Sequence, residues 1–521
     1  LFYNNGGLLS DSLHNRRWLV LGVLCVAVLL VAVDNTIVNV ALPTLSRQLR
    51  ASNTDLQWIV DGYSLPFAGL LLMGGGVSDR CGRRRIMQTA LLFFGLFSFL
   101  AARSNTIGEL LTARALMGAA AAFIFPATLS LLTTTFADPS ERAKAFGFWG
   151  ATAGVAIAIG PVLGGELITH FWFGSIFLVN IPIVILAFVA TALVVPESRS
   201  PYVHRFDFLG LLFGTSFVSL LVFAIIQGPE WGWLRGSTLL FFAISAGALV
   251  MLIRSELRTD GPLLDVRVFK NRAFSSGAGA IATGFFCLFG FIFLVTQYFQ
   301  SIHGYSALSA GVHTLPFAFV TMIMTPLGAV AALRVGARYV VSTGLVIMGG
   351  ALFYMTTISA HAAYFGPIVA SMVLLALGFS LITAPSTAAI MISLRPDQIG
   401  AGAAVNETTR EIGGTMGVAV VGSVFSSIFG PQVRTLLAGV GLSAKQLNIA
   451  QSSTQAAKAI VARVPLDSPL HERLASGVTT AFIDGFHRGC LVASIFALVA
   501  GLAAFQFLPK GVVHEQQSVH S

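Results

Sequence analysis

Long apolar runs separated by short polar turns set the pattern of this chain from end to end. A helix needs about 20 mostly apolar residues to cross a hydrocarbon layer. Fourteen runs meet that length, and spans are predicted at 18–43, 56–76, 86–103, 107–135, 143–169, 175–195, 208–228, 237–254, 274–299, 307–331, 340–359, 365–393, 403–429 and 488–508. The run FLGLLFGTSFVSLLVFAII at 208–226 contains no charge and reads as spanning; twelve or thirteen spans result if 208–228 or 237–254 only lies on the surface. Lipid offers no partner to an open backbone, so spans of this length are helices. The expected fold is an all-α polytopic membrane protein.

Composition agrees. Hydrophobic residues make up 55% and charged residues 10%, with a mean hydropathy of +0.82. A soluble domain carries about a quarter charged residues. A disordered chain, a secreted disulfide scaffold and an ordinary soluble enzyme are therefore excluded. The net charge of +9 needs no nucleic-acid partner, because its placement explains it. With the N-terminus inside, nineteen Lys and Arg fall in inner loops, while the short outer loops hold only Arg47, Arg50, Arg103 and Arg235. That bias places both termini on the cytoplasmic side. Residues 430–487 form a long outer loop, helical near 443–464, and 511–521 a cytoplasmic tail. Trp18 and Trp58 fit interfacial anchors. The four cysteines, Cys25, Cys81, Cys287 and Cys490, have no ligand or redox spacing, and His303 and His313 form no credible metal set. No GxxxxGK[ST] loop is present. A transporter driven by an ion gradient, without metal, cofactor or obligatory protein partner, is the economical expectation.

Ionisable residues inside spans are costly and mark function. Asp34, in VAVDNTIVNVALP, and Arg114, in LLTARALMGAAAA, fall at compatible depths in the outer half of the membrane. Burial favours a neutral carboxyl and a nearby guanidinium favours the ionised one. That opposition lets proton affinity follow which side is open; direct binding of a cationic substrate by Asp34 is the alternative. In NETTREIGGTMG, Glu407 and Glu411 share a helix face, as do Asn406 and Arg410. The four are candidates for the inner pathway or, equally, solvent-side charges at a helix start. Glu166, Asp61 and Asp484 have weaker claims, being placed near span ends. Phe67, Tyr63 and Phe285 carry no more weight than any span aromatic.

Glycines cluster. GATAGVAIAIGPVLGG (150–165) repeats small residues along a helix and ends in Gly-Pro, which permits close crossings and a bend. The inner turn GGVSDRCGRRR (75–85) forces spans two and three to be adjacent, with Asp79 among arginines as a latch and Gly75 and Gly82 as turn residues. PLGAVAALRVGARY (326–339) echoes it through Gly328, Gly336 and Arg338, with Ala332 in place of the acid. The echo implies two homologous six-helix halves, with the two spans at 208–254 inserted between them. The expected division is 1–200, an added pair of helices at 201–260, and 261–510.

These motifs resemble the major facilitator superfamily, and within it the 14-span proton-coupled drug exporters of DHA2 type, over residues 16–508. DNTIVNVALP (34–43) is similar to that group's first-helix signature, GGVSDRCGRRR to the loop motif, RALMGAAAA (114–122) to the fourth-helix Arg motif and GVAIAIGPVLGG (154–165) to the antiporter motif; FLVNIP (177–182) and NETTREIGGTMGVA (406–419) also resemble group patterns. The resemblance implies two six-helix bundles plus two inserted helices. It implies proton coupling at Asp34 with Arg114, and a gating loop of Gly75, Asp79, Arg80, Gly82, Arg83 and Arg84. It also implies an export helix of Gly154, Gly160, Pro161, Gly164 and Gly165. The chain departs from the pattern at FGS (173–175), where many members carry Trp-Arg-Trp, and at Ala332. The expected activity is export of amphiphilic drugs in exchange for protons. Export of an endogenous metabolite or envelope lipid is the runner-up, and a non-transporting membrane sensor a remote third.

Overall fold

The computed structural model describes residues 6–136, 138–199, 207–258, 266–393, 399–440, 442–465 and 467–508, and these are helical with no strand among them. Helices α1 (Gly6–Leu49), α2 (Asn53–Cys81), α3 (Arg83–Ala102), α4 (Ile107–Thr135), α5 (Pro139–His170), the short α6 (Ser175–Leu178) and α7 (Asn180–Val194) come first. Then follow α8 (Phe208–Trp231) and α9 (Gly236–Arg258). The remainder is α10 (Arg272–Gln297), α11 (Ala307–His313), α12 (Leu315–Val335), α13 (Ala337–Met355), α14 (Val369–Ile392), α15 (Ile399–Leu437), α16 (Ala444–Ser452), α17 (Thr454–Val461) and α18 (Pro469–Phe507). Two π-helical turns, Tyr298–Ile302 and Tyr364–Ile368, extend α10 and precede α14.

The predicted spans coincide broadly with these helices, although 175–195 is divided between α6 and α7, 307–331 between α11 and α12, and 340–359 runs past the end of α13. Twelve are long and apolar enough on their own to cross a membrane, and α2, bent by 54° between Asn53–Leu71 and Met73–Cys81, makes thirteen. The apolar part of α5, Gly154–His170, is shorter. Many large apolar side chains are exposed, among them Leu92, Leu96, Leu186, Leu193, Leu240, Met322, Ile323, Val499 and Leu502, while others such as Phe94, Phe177, Phe293 and Phe425 fill the core. In water such a belt is an aggregation hazard. In hydrocarbon it is the natural surface, and small residues let the helices inside the bundle approach closely.

Helix pairings repeat along the chain. The partners α1 with α5, α2 with α4, α3 with α4 and α3 with α7 recur as α10 with α15, α12 with α14, α13 with α14 and α13 with α18. Helices α8 and α9 pack on one another, with α8 resting on α2 and α15. Among the described residues, the hydrogen bonds joining α1–α7 to α10–α18 gather at one end. Gln57 Nε2 donates to the Ala419 carbonyl at 3.1 Å, Gln300 Nε2 to the Val40 carbonyl at 2.8 Å, and Ser46 meets Ser453 at 3.1 Å. This sealed end is the one that the charge pattern of the sequence expects to face outward.

Several sequence expectations change. The last span does not begin at 488: α18 starts at Pro469, and α15 runs on to Leu437. Both continue because their extensions bury Phe425, Phe429, Val433, Leu474, Val478 and Phe482 against each other, a cross-helix pattern that a hydropathy average misses. At about 1.5 Å per residue each of these helices is nearly twice a bilayer core in length. The loop helix expected near 443–464 is two helices, because Ser453 adopts extended backbone and caps α17. Trp58 is partly buried and packs against Phe223 of α8, ring centroids 5.8 Å apart.

Candidate functional site

Asp34 and Arg114 meet where α1, α2, α4 and α7 converge, and neither side chain reaches solvent. Arg114 Nη1 donates to Asp34 Oδ2 at 2.6 Å, and Nε donates to the Ile59 carbonyl of α2 at 3.1 Å. Its guanidinium carbon lies 4.3 Å from the centroid of the Tyr63 ring. The approach is possible because Gly118, one turn along α4, has no side chain: a Cβ there would sit 2.1 Å from the Tyr63 carbonyl oxygen. The other carboxylate oxygen, Oδ1, accepts from Asn180 Nδ2 at 2.7 Å. Asn180 is fixed at the start of α7 by a second donation to Ser98 Oγ at 3.0 Å, and Ser98 donates to the Phe177 carbonyl. The site is thus one acid, one permanent cation, one amide and one aromatic face in a buried pocket. Charge-assisted bonds of this kind are short and strong, and either partner alone would be a buried uncompensated charge.

The sequence brought Asp34 and Arg114 together by depth; it offered Asn180 only within FLVNIP and Tyr63 only as one span aromatic among others, and it did not single out Ser98 in FGLFSFL. Asp61 lies deeper than expected. It is fully buried, and neither carboxylate oxygen has a hydrogen-bond partner among the described residues. Tyr63 Oη and Arg114 Nη2 are likewise without one. Glu166 is more than half exposed and pairs with His170 at 3.1 Å, as an outer-interface residue would.

The second cluster forms on α15. Arg410 Nη1 donates to Glu407 Oε2 at 3.2 Å, and Nη2 reaches Thr387 Oγ1 of α14 at 3.4 Å. Thr387 donates to Asn406 Oδ1 at 3.3 Å. Asn406, Glu407 and Arg410 therefore form one connected group, with Arg410 also 5.5 Å from the Phe285 ring centroid. Among the described residues Glu411 shares no hydrogen bond with them but lies within electrostatic range of Glu407 and Arg410. It lies within electrostatic range of Tyr63, across the two sets of helices.

Helix α5 forms the seam. A Cβ at Gly160 would lie 2.0 Å from Thr36 Oγ1, at Gly164 2.6 Å from Ile37 Cγ1, and at Gly165 2.4 Å from Leu308 Cα. In return, Gly311 of α11 faces the Pro161 carbonyl at 2.2 Å on the same measure. Gly160 and Gly164 thus seat α1, and Gly165 and Pro161 seat α11. Gly154 faces open space and has no such role. Beneath the seam, Thr36, Asn39, Pro161, Phe289 and Thr296 line a cavity of about 40 Å³, room for about one water.

At the inner turn Gly82 has φ 108°, a region that side chains avoid. Gly75, by contrast, sits inside α2 with its nearest neighbour 3.7 Å away, so it is not a turn residue. Asp79 accepts from Arg83 Nε at 2.8 Å, within the turn itself. A carboxylate not foreseen, Glu197, accepts from the backbone N–H of Arg84 at 3.1 Å and of Arg85 at 3.3 Å. Arg84 also donates to the Val195 carbonyl, and Arg80 is half-buried. Among the described residues these bonds stay within α1–α7 and the segment just after it, so no latch reaches the second set of helices here.

A buried charge pair inside a helical bundle, sealed on one side by interlocking glycines, defines a polytopic membrane transporter. The chain belongs to the Major Facilitator Superfamily, whose family model matches residues 24–418. Its relatives include the multidrug efflux pump LfrA of Mycolicibacterium smegmatis, 34% identical over 93% of this chain and 95% of that protein. The methyl viologen resistance protein SmvA of Salmonella typhimurium is 34% identical over 84% and 88%. The tetracenomycin C resistance and export protein of Streptomyces glaucescens is 29% identical over 95% and 92%. Among solved structures, a bacterial homolog of the human lysosomal transporter Spinster, inward-facing and unoccupied, superposes with a TM-score of 0.60 at 17% identity, covering 95% of this chain and 98% of that one. The human organic anion transporter MFSD10 gives 0.58 at 13% identity over 94% and 99%. These two share the fold.

Proposed function

We propose that the protein is a proton-coupled antiporter that exports amphiphilic drugs or related small molecules across the bacterial inner membrane by alternating access. The carrying observation is the buried Asp34–Arg114 pair, joined at 2.6 Å, beside a seam that can separate. Asp34 binds the coupling proton. Arg114 stays charged throughout and returns to the carboxylate whenever the proton leaves. Asn180 keeps Oδ1 oriented in both states. The relatives named for efflux and resistance support a drug-like cargo, and membrane lipids are the medium from which an amphiphile enters.

On this reading the chain has fourteen spans, both termini are cytoplasmic, and the halves are 1–200 and 261–510, with 201–260 as the added pair. The gating loop of Gly75, Asp79, Arg80, Gly82, Arg83 and Arg84 closes the inner side when the outer seam opens. Asn406, Glu407, Arg410 and Glu411 line the inner pathway, and Gly160, Pro161, Gly164 and Gly165 form the export seam. The test is efflux from sealed vesicles with an imposed pH gradient, comparing native protein with Asp34→Asn over cations, neutral drugs and lipids. Gradient-driven efflux by the native protein alone supports the reading. Equal efflux by both rejects Asp34 as the coupling acid, efflux only on adding ATP rejects the gradient, and efflux of lipid alone replaces the cargo.

A further inference from the structure

Four histidines gather on the outer rim of α10–α18, and neither the transport site nor a metal accounts for them; no metal-binding group occurs among the described residues. His303 follows the π turn Tyr298–Ile302, His313 ends α11, His361 precedes the turn Tyr364–Ile368, and His487 lies on α18. Two of them have a tautomer set by their partners. Tyr298 Oη donates its one hydrogen to the Ser359 carbonyl at 3.0 Å, so His303 Nε2, also at 3.0 Å, donates to Tyr298. His313 Nδ1 is 2.6 Å from the Ser309 carbonyl and must carry a hydrogen. The Tyr305 ring lies between the two, its centroid 5.3 Å from His303 and 4.5 Å from His313. Tyr364 abuts His313 at 4.2 Å and donates to its carbonyl.

The groups facing His303 are all neutral or cationic. They are the phenols of Tyr298 and Tyr305 and the imidazoles of His313 and His361, while Lys458 of α17 donates to the nearby Ser301 carbonyl. His487 is bonded to the Ile358 carbonyl at 2.8 Å. Among the described residues no carboxylate pairs with His303, His313, His361 or His487. Charge placed here has no counterion.

The same short segment holds the outer seal. Gln300 crosses to the Val40 carbonyl, Ser301 accepts from Gln455 Nε2 at 2.8 Å as well as from Lys458, and Gly311 sits against Pro161. We infer that the cluster around His303 senses external pH, and that acid outside releases the outer seal by charging it. Burial, then His361 and His313, hold His303 below the ordinary imidazole range. With the seal parted, His303 is hydrated and titrates near the ordinary value of about 6.5. The sealed state therefore binds fewer protons between the two values. Its advantage is complete above the ordinary value and falls as pH drops through it. The inference rests on the alternating-access reading only in requiring that the outer side open.

The experiment is a double electron–electron resonance measurement between nitroxides at Phe171→Cys and Tyr354→Cys, with the native cysteines replaced by alanine. At about pH 7.5 one short distance is expected, and a longer component grows as pH falls from about 6.5 to 5.5. His303→Gln removes that growth or moves it down by at least about one pH unit, while His303→Arg shows the long component already at about pH 7.5. An unchanged short distance for the Gln variant at the higher pH certifies its fold. Superimposable titrations of native and Gln proteins, or a closed seal in the Arg variant, overturn the sensor and leave the antiport reading standing. No long component in any protein at any pH overturns both.

Discussion

Gly311→Ala is the smallest change that acts on the outer seal. The new methyl carbon would lie 2.2 Å from the Pro161 carbonyl oxygen, 2.6 Å from its carbonyl carbon and 3.1 Å from the Val162 nitrogen. A carbon normally approaches a carbonyl oxygen no closer than about 3.3 Å. The helices must therefore part by about 1 Å. All three obstructing atoms are backbone, so no side chain can turn aside. Overpacking of this kind costs about 1–3 kcal/mol. The clash exists only while α5 and α11 are in contact, so the cost falls on the sealed state. The ratio of sealed to open molecules then drops about 5–150-fold. The assay is reaction of Val40→Cys with an impermeant maleimide added outside right-side-out vesicles, in a chain otherwise free of cysteine. Val40 lines the small cavity under the seam and is fully buried. The rate is expected to rise within that range. Gly350→Ala, whose Cβ meets nothing within 4 Å, leaves it unchanged. If Gly311→Ala labels at the native rate and unfolds at the native temperature, the seam does not hold the outer side shut.

Arg114→Leu strands a fully buried carboxylate and is expected to cost about 3–5 kcal/mol. The double variant Asp34→Leu/Arg114→Leu recovers most of it in thermal unfolding, and equal losses in single and double variants would count against the pairing. Gly82→Ala, at φ 108° and with Glu197 at 2.9 Å, destabilises by about 1–2 kcal/mol. Gly75→Ala is neutral by the same melting measurement, and the reverse order would refute the turn assignment. Lys458→Met removes the bond from α17 to the Ser301 carbonyl and is expected to raise amide hydrogen exchange across 454–461. Unchanged exchange would show that the loop docks without it.

The spans were legible because hydrocarbon imposes a length and a polarity on each helix, and both are properties of single segments. The Asp34–Arg114 site was legible for a related reason: an ionisable residue inside an apolar run is conspicuous by its cost. Asn180, Ser98 and Tyr63 are cheap residues in a membrane helix, so cost does not set them apart, and FLVNIP marks Asn180 only through its resemblance to a group pattern. The convergence of α1, α2, α3, α4 and α7 brings them to the site. The full burial of Asp61 escaped notice because burial near a span end depends on helices from far along the chain, and α2 packs against both α8 and α15. The extensions of α15 and α18 were cut short because hydropathy averages lose helices that bury one face against each other outside the lipid. Gly75 was mistaken for a turn residue since spacing alone does not reveal φ, whereas Gly82 followed from its place between two helices.

Proton counterflow tests the coupling claim most directly. A pH-sensitive dye inside vesicles reconstituted with the protein reports protons moving as an exported amphiphile is supplied on the cytoplasmic face. The account predicts a cargo-evoked proton flux opposite to the cargo in the native protein and none with Asp34→Asn. Undiminished counterflow in Asp34→Asn, or native cargo transport with no proton movement, contradicts it.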